Sequence, residues 1–446
     1  MNELSVAIVT LGCSKNEIDS EIMSGILKNY NFNITINLDE ADIIIVNTCG
    51  FIDTAKEESI KVIWEMTKYK KYGKCKYLIL SGCLAERYPK ELVEEIDEVD
   101  GILGTGNIKN IAKLIKELEQ KNKIINIGNI NEEYTEEIKR TEFTHTAYIK
   151  ISEGCNNYCT YCIIPKLRGH YRSRKIENII SEAKYLVDKG VKEIILIAQN
   201  TTDYGIDLYR EYKLPYLLYE LNKIEGLEWI RILYMYPDNF TDELIKAIKE
   251  NEKVVKYVDI PIQHINDKIL GKMNRKTSKK DITKLIEKLR NEIPEIIIRT
   301  TVIVGFPGEK NEEFDELYEY IKKIKFDRLG AFIYSREEGT KAYEYDEQVD
   351  EETKIYRKNR IMELQQKISL MKNKDKIGKI YKVLIEEKYD DNNTYMGRTY
   401  MDSPEIDGIV YLKSTKAINI GSFVNAKIVD CLEYDLMGEI LSEYSE

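Results

Sequence analysis

Proline is scarce, 8 residues in 446, and histidine scarcer at 3. The first shortage argues against a disordered or proline-rich chain. The second leaves His145, His170 and His264 too few and too scattered for a histidine metal site. No apolar run approaches the roughly 18 residues needed to span a bilayer, so no membrane protein is expected. Residues 1–12 contain no Lys or Arg and no long apolar core, so an export leader is not expected and the cytoplasm is the expected compartment. Positive charge is also short: 67 Lys and Arg against 77 Asp and Glu give a net −10, the wrong sign for a generic nucleic-acid binder. What is plentiful is core and surface in ordinary proportion, 43% apolar and 32% charged residues. At this length that predicts about three folded domains.

Eight cysteines without an export signal point to metal or redox use, not to disulfides. Cys155, Cys159 and Cys162 stand as GCNNYCTYC, a CxxxCxxC spacing that lets three thiolates of one loop grip one inorganic centre. Structural zinc wants four ligands, usually two CxxC knuckles, and no second knuckle exists. Three soft thiolates with one position left open favour a 4Fe-4S cluster. With Tyr161 as the aromatic before the last cysteine, the motif resembles that of the radical S-adenosylmethionine (SAM) superfamily. That resemblance implies SAM as cofactor, held by the free iron and cleaved to a 5′-deoxyadenosyl radical.

Residues 1–120 alternate strand-like runs, VAIVTLGC (6–13), ADIIIVNTC (41–49), KYLILSGC (76–83) and DGILGTG (100–106), with amphipathic stretches. The pattern predicts a doubly wound α/β domain. Three of these strands end in Cys13, Cys49 and Cys83. A cysteine at a strand end is ordinarily a small core residue, but three delivered to one carboxyl edge, where open α/β sheets bind ligands, predict a second cluster with an open iron. Cys75 and Cys431 lack partners and read as structural. Residues 121–144 read as a charged link.

Six further strands recur from residue 146 (TAYIKIS, EIILIAQN, WIRILYMYP, YVDIPIQH, IIIRTTVIVGF, RLGAFIYS) with helices between, a partial (β/α)6 barrel over 141–375 that places the triplet at its mouth. Over 376–446, after a helix near 350–376, five strand patterns predict a small antiparallel β-barrel. From 377 on, that module holds 7 Lys or Arg against 13 Asp or Glu.

Together, TLGCSKNEIDSE (10–21), ADIIIVNTCGFIDTAKEESI (41–60), KISEGCNNYCTYCIIPKLRG (150–169), YVDIPIQHINDKIL (257–270), VIVGFPGE (302–309), FIYSREEGT (332–340) and GRTYMDSPEIDG (397–408) resemble the methylthiotransferase family of radical SAM enzymes, over essentially the whole chain. The resemblance implies an N-terminal domain (1–120) binding an auxiliary 4Fe-4S cluster through Cys13, Cys49 and Cys83. It implies a radical SAM domain (141–375) whose cluster is held by Cys155, Cys159 and Cys162, and a terminal TRAM domain (376–446). The branch it matches best is a transferase that adds a methylthio group to the β-carbon of an aspartate in small-subunit ribosomal protein twelve, free or on the ribosome. In that scheme an external electron donor is required and at least two SAM are consumed per product. The acidic terminal module suits a basic protein better than tRNA, so no direct tRNA substrate is expected. The alternative within the family is a tRNA adenosine methylthiotransferase, and outside it an iron–sulfur RNA-binding factor without catalysis. LIAQNTTDYG (196–205) departs from the family pattern at Asn200 and Asp203, so no polar role is carried to those positions.

For SAM contacts, the candidates are Tyr161, either near the adenine or a packing aromatic, Gln199 at a strand end, and the turn Gly305-Phe306-Pro307-Gly308, either close to the cofactor or an ordinary turn. No catalytic residue beyond the cluster ligands is expected. Arg168, Arg172 and Arg174 are surface charges or substrate contacts, His264 a structural histidine, and the paired acids Glu57–Glu58 and Glu337–Glu338 solvated faces.

Overall fold

The computed structural model describes residues 4–121, 123–132, 134–136, 138–140, 143–389, 394–414 and 416–443. The expected domain limits at 1, 141 and 446 lie outside the described residues.

Six parallel strands open the chain: β1 (Ser5–Thr10), β2 (Asn33–Ile34), β3 (Ile43–Thr48), β4 (Tyr77–Ser81), β5 (Val99–Leu103) and β6 (Ile124–Asn126), in the order β2-β1-β3-β4-β5-β6. Strand β3 is buried at every residue because helices cover both faces of the sheet. Its period of two shows how: Ile43 and Ile45 join one core with helix α1 (Ser14–Asn29), while Ile44 and Val46 join another with Ile63 and Met66 of α2 (Asp53–Tyr72) and Leu84 of α3 (Gly82–Arg87). Strand β6 carries this sheet beyond the expected limit at 120. It is three residues long and half-exposed, so its sequence, set among Lys and Asn, does not stand out from a link.

Strand β7 (Thr146–Lys150) begins the second body. A two-residue ribbon, β8 (Ser152–Glu153) with β9 (Arg172–Ser173), brackets the cysteine triplet, and β10 (Glu193–Ile197), β11 (Trp229–Ile232), β12 (Tyr257–Asp259), β13 (Ile297–Val304) and β14 (Arg328–Ile333) follow, each of the long six parallel to its neighbour. The six form two three-stranded ladders, β11-β10-β7 and β12-β13-β14. Between them Val255 N donates to Ile230 O at 3.0 Å and Met235 N to Asp259 O at 2.9 Å, so the arc continues with few bonds. Ala147, Ile149, Ile194 and Leu196 face the outer helices, while Ile195 and Ile197 face inward to a core shared with the first and last domains.

Helix Glu351–Lys374, capped by the Asp350 side chain, leads to β15 (Ile380–Lys388), β16 (Thr394–Arg398), β17 (Val410–Lys413), β18 (Phe423–Cys431) and β19 (Leu436–Glu443), a closed barrel. Four of its seams are antiparallel and the fifth, β17 with β19, is parallel. The chain crosses over after β17, so the final hairpin brings β19 back in the direction of β17.

This small barrel seals the inner face of the large one. The rings of Trp229 and Phe423 pack edge to face at 4.8 Å. Around them run buried ion pairs: Glu193 takes Arg231 (2.8 Å) and Arg398 (2.6 Å), Arg328 pairs with Asp402, and Tyr257 donates to Asp407 at 2.6 Å. Burial alone would raise the Glu193 carboxyl, but the two guanidiniums outweigh it and hold the group at about 2. Among the described residues no helix is long and apolar enough to cross a membrane.

Candidate active site

In the first sheet the chain order reverses between β1 and β3, the switch point at which open α/β sheets form their ligand crevice. Cys13 caps α1 directly after β1, Cys49 follows β3 by one residue, and Cys83 lies in the first turn of α3 after β4. Gly12, at φ +93°, brings the first of these loops onto the second: a Cβ there would stand 2.7 Å from Cys49 Cβ and 2.9 Å from its Sγ. Cys13 is exposed, whereas Cys49 and Cys83 are buried. Burial pushes the Cys49 thiol up to about 11, with Cys83 and Cys13 adding to the effect. Burial raises Cys83 too, against the pull of Arg168.

The second triplet folds over the mouth of the partial barrel. Cys155 N donates to Gly169 O (3.2 Å) and Cys162 N to Cys159 O (3.0 Å). Thr160 between them is tied across the barrel, N to Met273 O at 3.1 Å and Oγ1 to Lys272 O at 2.8 Å. Cys159 Sγ lies 3.9 Å from the Tyr236 hydroxyl. Burial, with Cys159 second or close behind, pushes Cys155 up to about 11 and Cys162 higher still. Each thiol group is therefore soft, crowded by like charge when ionised, and in want of a cation. Among the described residues no three His, Cys, Asp or Glu side chains converge as they would round a single ion. A cube of iron and sulfide takes each thiolate on a different iron, so its ligands need not meet at one point, and both donor sets fit it.

The remaining candidates fall near this mouth with mixed surroundings. Tyr161 packs edge to face on Phe306 at 6.5 Å, in a small apolar cluster with Ile269, Met273 and Tyr334. Gln199 donates from Nε2 to Glu153 Oε1 at 2.9 Å, while its own Oε1 is buried with no partner among the described residues. Gly305, at φ +70°, donates its N–H to both oxygens of Glu309 (3.0 Å), and a Cβ on it would strike Lys354 Cγ at 2.3 Å, so the close approach its bareness permits is to the long helix. Pro307 is buried in the same turn. Glu309 is fixed in turn by Arg357 (2.9 Å) and lies 3.4 Å from His264, which is a structural histidine. Asn200 accepts from Thr202 (2.7 Å) within its own loop, and Asp203 accepts from Asn239 (2.6 Å) of the loop after β11.

A buried polar chain joins the two triads, and nothing in the residue pattern announces it. Arg168 donates to Asp19 Oδ2 (2.6 Å) and Asn16 Oδ1 (2.6 Å), and its Nη2 lies 3.6 Å from Cys83 Sγ. Lys150 bridges Asp19 Oδ1 and Glu153 Oε2, each at 2.6 Å. Glu153 adjoins the Gly154-Cys155 turn; burial would raise its carboxyl, yet Lys150 and Arg168 hold it well below the usual carboxylate range. Arg168 and Arg174 are thus buried and paired, not surface charges, Arg174 with Glu136 (2.5 Å) and Glu182 (2.7 Å). Glu337 is likewise no solvated acid: 1% exposed, it accepts from Arg87 (2.7 Å) and Lys56 (2.9 Å) and clasps the first domain to the barrel, while Glu57, Glu58 and Glu338 are exposed as expected.

Comparison with known proteins agrees with this layout. The Radical SAM superfamily pattern matches residues 149–321, Uncharacterized protein family UPF0004 matches 5–104, and the TRAM domain matches 377–441. The ribosomal protein uS12 methylthiotransferase RimO of Clostridioides difficile (strain 630) is 52% identical over 99% of both chains. The protein of the same description from Thermoanaerobacter sp. (strain X514) is 53% identical over 98% of this chain and 99% of its own. Among solved structures, the radical S-adenosylmethionine methyltransferase TsrM from Kitasatospora setae superposes with a TM-score of 0.57 at 15% identity, covering 74% of this chain and 73% of that one, which is a likeness of fold. With half its residues identical to such relatives from end to end, the chain belongs to the RimO family of radical SAM methylthiotransferases, transferases that depend on a 4Fe-4S cluster and SAM.

Proposed function

We propose that this protein transfers a methylthio group to the β-carbon of an aspartate in ribosomal protein uS12, in the cytoplasm, with electrons from an external donor. The observation that carries it is the pair of thiol triads set at the facing edges of two domains and tied together by Arg168, Asp19, Lys150 and Glu153. In this reading Cys155, Cys159 and Cys162 hold the radical SAM cluster, and Cys13, Cys49 and Cys83 hold the auxiliary one. When bound, the first cluster and SAM supply hydrogen abstraction and the second supplies the sulfur.

The chain's own contribution is placement. Thr160 pins the triplet loop from the opposite side of the barrel, and Arg168 fixes Cys83 against α1. The Glu337 clasp with Arg87 and Lys56 keeps the first domain over the mouth, where it limits the entry of water. Gln199, with its unpartnered oxygen, is the SAM contact that its surroundings support best; Tyr161 and the Gly305–Pro307 turn would shape the wall beside it. The terminal module carries more acids than bases, 13 against 7 from residue 377 on, a net charge suited to a basic ribosomal protein, and no tRNA is used directly.

The test is anaerobic reaction of the reconstituted enzyme with SAM and reductant, with purified uS12 and tRNA offered side by side. Mass spectrometry should find one methylthio group on a single aspartate of uS12. Methylthioadenosine in the tRNA instead would overturn the substrate, and absence of 5′-deoxyadenosine would overturn the chemistry.

A further inference from the structure

Among the described residues, Lys15 is a buried cation in the seam between the two domains that no carboxylate matches; Arg275, on the Tyr236 ring at 3.8 Å, also lacks an ion pair, but it lies within the barrel and donates to Pro261 O. It lies between Cys13 and Asn16, is 7% exposed, and has no ion-pair partner among the described residues; its Nζ rests 2.8 Å from the centroid of the Tyr234 ring. Its neighbours along the seam are all matched: Lys150 with Asp19 and Glu153, Arg168 with Asp19, Arg87 with Glu337. An ammonium shielded this far from water without a carboxylate is unfavourable, and a ring face offsets only part of the loss.

The ring is itself held in place at a cost. Tyr234 sits at φ +59°, uncommon for a bulky residue; its N–H donates to Asp259 Oδ2 at 2.9 Å, and its carbonyl accepts from Thr201 N (3.0 Å) and Oγ1 (3.1 Å). Two residues on, the Tyr236 hydroxyl is the group 3.9 Å from Cys159 Sγ. One short segment thus touches Lys15, beside the first triad, and Cys159, in the second. The unmatched ammonium thus lies two residues from Cys13, on a ring whose own segment reaches Cys159.

Taking the aspartate methylthiotransferase reading as its basis, we propose that Lys15 is a positioning and specificity residue that binds the side-chain carboxylate of the substrate aspartate against the Tyr234 ring. The chemistry it selects is a carboxylate. In aspartate that group is bonded directly to the β-carbon, so anchoring it fixes the C–H to be broken to within one bond. A nucleobase offers no such anion and would leave the ammonium unmatched, which discriminates against RNA. The other source of a carboxylate at this mouth is SAM, and the experiment separates the two.

Equilibrium binding to the anaerobically reconstituted enzyme is measured for uS12 and for uS12 with the modified aspartate changed to asparagine. The wild-type enzyme should prefer the aspartate form by about 10- to 100-fold. Lys15→Met, which keeps the aliphatic stem, should erase that preference with SAM affinity unchanged, and Lys15→Arg should restore part of it. Tyr234→Leu, remote in sequence from every thiol, is the second variant and should reduce the preference several-fold. Iron content establishes that each variant is loaded. Equal binding of the two forms by the wild-type enzyme overturns the proposal, as does a preference that survives Lys15→Met or a loss of SAM affinity alone, which would give the carboxylate to SAM. Failure of the wild-type enzyme to modify uS12 at all would sink the basis itself; modification without the preference would sink only Lys15.

Discussion

Cys155, Cys159 and Cys162 come from a single turn of chain, whereas Cys13, Cys49 and Cys83 are delivered by three strands whose order in the sheet is set by two layers of helices. The first triad depends on a few local bonds and on Thr160 reaching across the barrel mouth. The second depends on the register of a whole domain and on one guanidinium from the neighbouring domain, Arg168, beside Cys83. The local triad should therefore tolerate disturbance of the first domain, and the assembled one should fail whenever the seam between domains is loosened.

Removing a thiol from each triad gives the largest contrast. Cys155→Ala should abolish both 5′-deoxyadenosine and product, while Cys83→Ala should abolish product and leave reductive SAM cleavage in place. Iron should fall by about half in either variant. Chromatography of the nucleoside with iron analysis checks this, and equal loss of SAM cleavage in both would erase the distinction. Next in size is Arg168→Met, which leaves Asp19 buried with Lys150 as its sole strong partner and should cost about 3 kcal/mol in denaturant unfolding. Its iron loss should be confined to the first domain's cluster.

Acid should loosen the other seam. Glu193, held at about 2 against an ordinary value of 4.5, stabilises the folded state above pH 4.5, and that contribution is lost as pH falls from there toward 2. Hydrogen exchange of the iron-free protein at decreasing pH should show the interface between β10 and the terminal barrel opening. The smallest effect expected is that of Glu337→Gln, about 1–2 kcal/mol, seen as faster exchange over 335–340 and the start of α2.

How much of this was visible in the residues follows the same division. The CxxxCxxC triplet is legible because its cysteines are neighbours in sequence, and the other triad because strand alternation ending in cysteine three times is itself a pattern. The partial barrel and the small terminal barrel were legible from recurring strand and turn signals. The ties between them were not. Lys150 and Asp19 are 131 residues apart, and Lys56 and Glu337 are 281 apart, so no local period marks them. Glu337 looks like any acidic pair on a surface until Arg87 and Lys56 arrive from another domain. Lys15 reads as one more helix-start lysine, and only the strained backbone of Tyr234 shows what lies over it. The parallel seam between β17 and β19 was hidden for a similar reason, since strand direction in a closed barrel is fixed by a crossover and not by the strands' own residues.

The ionic stopper at the base of the large barrel has a consequence for any attempt to shorten or recombine the protein. Arg231 and Arg328 point into a lumen with their counter-charges and carbonyl caps drawn in part from Arg398's partner network, Tyr400 and Asp402. Truncation near residue 376 would take the Tyr400 carbonyl from Arg231, which keeps Glu193, and would leave the Arg328 guanidinium without its carboxylate Asp402. A chimera carrying a foreign tail should stay soluble only if the donor brings acids to the same places.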